Sequence, residues 1–115
     1  MKVTNLQAVV FLNNLQNIRK KKLPVTFLFA LNTNAEKIMT QIKPYEEARK
    51  ALYEEFDNDE FKVMPELNKL LDESVEHSIK MVKFSTLERI DEDPNYDKLT
   101  GDEYTAISFM LEFEE

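Results

Sequence analysis

"LNTNAEKIMTQIKPYEEARKALYEEF", residues 31 to 56, decides the fold. Leu31, Ala35, Ile38, Ile42, Tyr45, Arg49, Leu52 and Phe56 recur at alternating steps of 4 and 3 residues, the spacing of a helix seam that packs against another helix. Only Arg49 breaks its apolar character. Pro44 falls inside the run, where it removes one backbone hydrogen bond and disfavours helical geometry at Lys43. Because the seam keeps its phase on both sides, one kinked helix is expected rather than two. Upstream, "VTFLF" alone would also suit a short strand, but length favours helix, and Pro24 suits a first helical position, where its missing N–H loses no hydrogen bond. The long helix is therefore placed at residues 24 to 56.

Shorter elements follow outward from it. "TNLQ", residues 4 to 7, is a capping box that opens a helix over 5 to 18, with Leu6, Val9, Val10, Leu15 and Ile18 as its apolar stripe. After "FDNDEF" a third helix is expected at 59 to 74, its inward face formed by Phe61, Met64, Leu67, Leu70, Leu71 and Val75. In "VEHSIKMVKF" the period changes to two, so 75 to 84 reads as a strand, with a partner in the first few residues of the chain or on another molecule. "STLERIDEDPNYDKL" reads as a turn and acidic loop. "TGDE", residues 100 to 103, is a second capping box and starts a closing helix at 101 to 112, with Tyr104, Ile107, Met110 and Leu111 inward. The fold class is mainly α with a minor β element (α+β), in a single domain spanning 1–115.

Composition narrows the chemistry. Hydrophobic residues make up 43 % of the 115-residue chain and charged ones 32 %, too apolar for disorder and too interrupted by charge for a membrane span. There is no cysteine, which removes disulfides, thiolate metal sites and cysteine nucleophiles. The single glycine, Gly101, is too few for phosphate-cradling loops, and no cofactor is expected. "MKVTNLQAVVFLNNLQ" lacks the cleavage site of a signal peptide. A cytoplasmic location is expected.

Charge is divided unevenly. Residues 1 to 50 carry nine Lys and Arg against three acids, and residues 51 to 115 carry six against nineteen, within a net charge of −7. Either the halves neutralise each other across the fold, or the acidic half meets a basic partner or a second copy. The cations cluster in "RKKKLPVTFLFALN", residues 19 to 32. One reading is a helix end whose cations offset the dipole, followed by core residues. In the other, five large apolar residues in seven positions exceed what one helix face buries, so Arg19, Lys20, Lys21, Lys22, Phe27 and Phe29 are the candidate partner-binding residues.

Catalytic patterns are weak. His77 is the only histidine, with no second histidine and no serine elbow to form a triad or metal cluster. Asp91, Asp93, Asn95, Asp97 and Asp102 echo a calcium loop, but Tyr96 stands where the turn glycine belongs and Pro94 intrudes. A solvated loop is the expectation. Direct nucleic-acid binding is not expected of so short a basic run in an acidic protein.

"KLPV", "KIMTQIKPYEEARKALYEEF", "ELNKLLDESVE" and "LTGDEYTAISFMLEFEE" together resemble a group of small proteins of unknown function encoded by bacteriophages and prophages of low-GC Gram-positive bacteria. Its members share a lysine-leucine-proline start, a long helix centred on proline-aromatic-Glu-Glu-x-Arg, a short ELxxLL helix, a strand and a terminal helix. The resemblance covers about residues 20 to 115. It implies a phage-encoded cytoplasmic protein and transfers no active residue. The expected function is non-catalytic: an effector that binds and inhibits or modulates a host protein, by acidic mimicry of nucleic acid in one version. The alternatives are a tail-assembly chaperone that oligomerises and shields apolar helices, and a small carboxylate hydrolase.

Overall fold

Helix α2, Val25–Glu55, runs for 31 residues and sets the length of the molecule. At 1.5 Å per residue it is about 46 Å long, within a body of 51 × 24 × 24 Å. The computed structural model describes residues 1–113; Glu114 and Glu115, which end the closing stretch, lie outside them. Pro24 is the residue before the first turn rather than within it, and the helix continues through Pro44.

Two helical hairpins share this spine. Helix α1, Asn5–Arg19, lies along the first half of α2 and runs against it: Asn5 meets Gln41 at one end and Arg19 meets Asn32 at the other. Helix α3, Glu60–Asp72, folds back along the second half. The larger core gathers Phe11, Leu15 and Ile18 of α1 against Phe27, Leu31, Ala35 and Ile38 of α2. Tyr45, Val63 and Leu67 centre the smaller one, with Leu52 and Phe56 against it. The seam thus serves both cores in turn, except at Arg49, which is exposed and lies over the Tyr53 ring at 4.9 Å.

Both capping boxes form. Thr4 and Gln7 bracket the start of α1, and Thr100 and Glu103 that of α5, Gly101–Ile107. Asp59 caps α3 by accepting the Phe61 N–H. Between α2 and α3, Asp57 and Asn58 are both left-handed (φ 51° and 63°), and the Asn58 N–H returns to the Tyr53 carbonyl, so the turn closes as glycine-capped helix ends do, without glycine.

Several expectations need correction. In α1 the buried residues are Asn5, Ala8, Phe11, Leu15 and Ile18, while Leu6 is exposed and Val9 and Val10 are half-buried. The third helix turns a different face inward. Val63 and Leu67 are buried while Phe61 and Met64 are exposed, because at 100° per residue Phe61 stands about 120° round from Leu67. The strand at 75 to 84 divides into β2, Ser74–Glu76, and β3, Val82–Lys83. β2 pairs antiparallel with β1, Lys2–Thr4, at the start of the chain. Between β2 and β3 the buried Asn34 side chain takes a strand's place: its amide donates to the Lys80 carbonyl and accepts from the Lys80 N–H.

The acidic segment begins with a further helix, α4, Phe84–Glu92, held by Leu87 and Ile90. The closing helix stops at Ile107, followed by a 3-10 turn at Ser108–Met110 and β4, Leu111–Glu112, parallel to β3. Phe109, Met110 and Leu111 are consecutive and all buried. An α-helix spreads three consecutive side chains over some 200°, so the backbone tightens to turn all three inward.

Gly101 has an ordinary φ and open space where a Cβ would sit. Gly101→Ala is therefore expected to stabilise the protein by about 0.5–1 kcal/mol, raising the midpoint of thermal unfolding by a few degrees. A lowered midpoint would show that the first turn of α5 needs glycine.

Candidate protein-interaction surface

The basic junction is largely engaged within the chain. Arg19 donates to the Asn32 side chain at 2.9 Å. Lys21 reaches the Lys98 carbonyl at 2.6 Å and the Glu103 carboxylate at 2.7 Å. The Lys22 N–H donates to Asp97, whose own N–H returns to the Lys22 carbonyl. Basic turn and acidic loop are thus laced together, so this part of the charge asymmetry is neutralised locally. Burial alone would push the Glu103 carboxyl up, but Lys21 and the Thr100 amide outweigh it and hold the group below its ordinary value.

Of the six candidate binding residues, the structure withdraws Phe27, which is 2 % exposed in the larger core. Lys21 is half-buried in its ion pair and serves the fold. Lys20 and Lys22 are exposed, and Phe29 is 61 % exposed, one turn from Val25 and beneath the Lys80 ammonium at 5.4 Å. What remains at this end is a small mixed patch.

The opposite end carries the more pronounced surface. Phe61 is 93 % exposed, with the exposed Met64 one turn further along α3. Glu54, Glu55, Asp57, Asp59 and Glu60 precede Phe61 in the chain, and the exposed Lys62 follows it. The left-handed pair Asp57 and Asn58 and the Asp59 cap fix where Phe61 emerges. The phase of the helix was the signal for this surface: steps of 4 and 3 link Val63, Leu67 and Leu70, leaving Phe61 outside.

At the waist, where the hairpins meet, lies a polar cluster. Gln41, 4 % exposed, donates to the Val3 carbonyl at 2.9 Å and to the Asn5 side chain at 3.0 Å. Asn5 in turn donates to the Leu70 carbonyl at 2.8 Å. The remaining Gln41 oxygen lies 2.8 Å from His77 Nε2. The N-terminal ammonium closes this side of the molecule, contacting Glu76 at 2.6 Å and the His77 carbonyl at 3.0 Å. Burial, with help from Lys37 and that ammonium, lowers the His77 pKa below its ordinary value.

Among the described residues, no three histidine or carboxylate side chains gather as a metal ion would require. Nor is any helix among the described residues long and apolar enough to cross a membrane. Comparison with protein-family models, curated proteins and solved structures finds no match.

Two outcomes follow. Lys21→Ala, which leaves Glu103 buried without its cation, should cost about 2 kcal/mol of unfolding free energy in urea, while Lys20→Ala should stay within about 0.5 kcal/mol. Equal costs would remove Lys21 from the fold. The second concerns pH. Because His77 binds its proton more weakly folded than unfolded, stability is whole above about pH 6.5 and declines as the pH falls from there towards the folded value. Urea midpoints at about pH 7.5 and 5.5 should differ in the native protein and converge in His77→Gln. A native midpoint that does not move refutes the coupling.

Proposed function

We propose that the protein works by binding another protein, and that the α2–α3 end is what it presents. The carrying observation is Phe61, almost wholly exposed in the capped first turn of α3 and preceded by an acidic stretch of chain. An aromatic anchor in an acidic field suits a basic partner surface with an apolar pocket. The carboxylates steer the encounter, and the ring supplies the affinity once desolvated. In the phage setting that the sequence resemblance implies, the partner is a host protein whose activity is inhibited or modulated. If that surface ordinarily receives nucleic acid, the acidic end takes the place of the phosphates.

Val25 and Phe29 favour a second reading. They lie one turn apart on the outward side of α2, both strongly exposed, and an apolar pair of this kind suits self-association or the shielding of apolar helices during phage assembly. The two readings place the contact at opposite ends of α2.

The test is affinity capture from host lysate, comparing the native chain with Phe61→Ala/Met64→Ala and with Val25→Ser/Phe29→Ser. Loss of a buried aromatic anchor corresponds to about thirtyfold weaker binding. Selective loss in the first double variant, with competition by heparin, supports the acidic end. Loss confined to the second, together with a concentration-dependent mass in light scattering, supports the alternative. Recovery unchanged in both variants rejects the two surfaces together.

A further inference from the structure

We propose that the outward face of α2 around Phe29 is a contact with a second copy of this chain, antiparallel about a two-fold axis at Phe29. The inference rests on the self-association reading of Val25 and Phe29 and gives it a geometry. Lys22, Val25, Phe29, Thr33 and Glu36 fall at offsets −7, −4, 0, +4 and +7 from Phe29. At 100° per residue the four helical members lie within about 40° of one line along α2, on the side away from the core residues Phe27, Leu31 and Ile38. Lys22 stands in the turn just ahead of the helix.

This row is self-complementary. Reversed end for end, it sets Lys22 of each copy against Glu36 of the other, Val25 against Thr33, and Phe29 against its own symmetry mate. Lys22 and Glu36 are both exposed, and among the described residues neither side chain has an ion partner within its own chain. The Thr33 hydroxyl donates to the Phe29 carbonyl at 2.8 Å, so its methyl group is what remains for Val25 to meet. Lys80 lies over the Phe29 ring, yet the residue is still 61 % exposed. That leaves ring area for offset stacking on its mate.

The symmetry of the row selects the occupant. An anionic lipid surface or a nucleic acid would gain from Lys22 but be repelled by Glu36 at the other end and by Asp97, which holds the Lys22 main chain. An unrelated protein would have to match a cation, two apolar groups and an anion in this order, whereas a second copy does so of itself. Because a two-fold contact uses the same patch on both copies, it closes at the dimer. In such a dimer the two α2 helices run outward in opposite directions, and the Phe61 surfaces stand free at opposite poles.

Sedimentation equilibrium of the purified chain and its variants tests the pairing. The native mass should rise with concentration and level off at twice that of one chain, with a dissociation constant on the order of 100 µM for so small a patch. Phe29→Ser should stay monomeric with its urea midpoint unchanged, since the ring lies outside the core. Lys22→Glu and Glu36→Lys each set like charges together twice per dimer and should weaken association about three- to tenfold. Combining them, Lys22→Glu/Glu36→Lys, should restore near-native association. A native chain that stays monomeric up to about 1 mM would overturn this pairing and the self-association reading together. A dimer that Phe29→Ser abolishes, but that the double charge reversal does not recover, would overturn the pairing alone, as would a mass that keeps growing past the dimer.

Discussion

The direction of the hydrogen bonds at the waist is set by two backbone carbonyls, Val3 and Leu70, and the assembly of the molecule depends on it. These carbonyls belong to the strand at the N-terminus and to α3, so the side chains that reach them, Gln41 and Asn5, tie three distant parts of the chain to the centre of α2. Inside the protein an unpaired amide would cost more than a made hydrogen bond gains. No buried side-chain nitrogen or oxygen among the described residues lacks a partner. The cluster is therefore a specifier: the apolar seam would tolerate α1 and α3 sliding along α2 by a turn, and the Asn5–Gln41–His77 line would not.

The ends of α2 illustrate how differently charge can be used. At the basic end the cations are drawn into ion pairs and backbone contacts with residues 97 to 103, and Lys21 and Glu103 are close and shielded enough to matter for stability. At the acidic end the carboxylates stand in water without such a counterpart, where each contributes little to folding. What they contribute is field, which extends roughly 10 Å at moderate ionic strength and acts on whatever approaches.

Much of the helical scaffold could be read from the sequence because it rests on local rules. The 4-3 seam, the two threonine capping boxes and the proline before Val25 each have a cause within a few residues. The mainly α fold with a minor β element followed from them. What was misread depended on partners far along the chain. Strand pattern in 75 to 84 was real, yet the middle found the Asn34 amide where a neighbouring strand was expected. The helix at Phe84–Glu92 has only Leu87 and Ile90 as buried contacts, too few for periodicity to register. Phe27 and Phe29 were indistinguishable by type and are separated only by which side of α2 meets α1. The polar line through His77 was invisible, since nothing local relates residues 5, 41 and 77.

Stability does not account for Phe61. Its position in the first turn after Asp59 asks for a residue that accepts helical geometry, and glutamate or lysine would do so with less loss of side-chain freedom and no exposed ring. Single exposed apolar residues are common and need no explanation. Here the ring is joined by Met64 on the next turn, and its direction is fixed by a cap and by two left-handed residues, each of which carries a conformational cost. A flexible glycine turn would have closed the hairpin more cheaply, with the helix start less firmly held. The chain instead spends conformational energy to hold an apolar group still in water, and that is the arrangement a contact with another molecule would use.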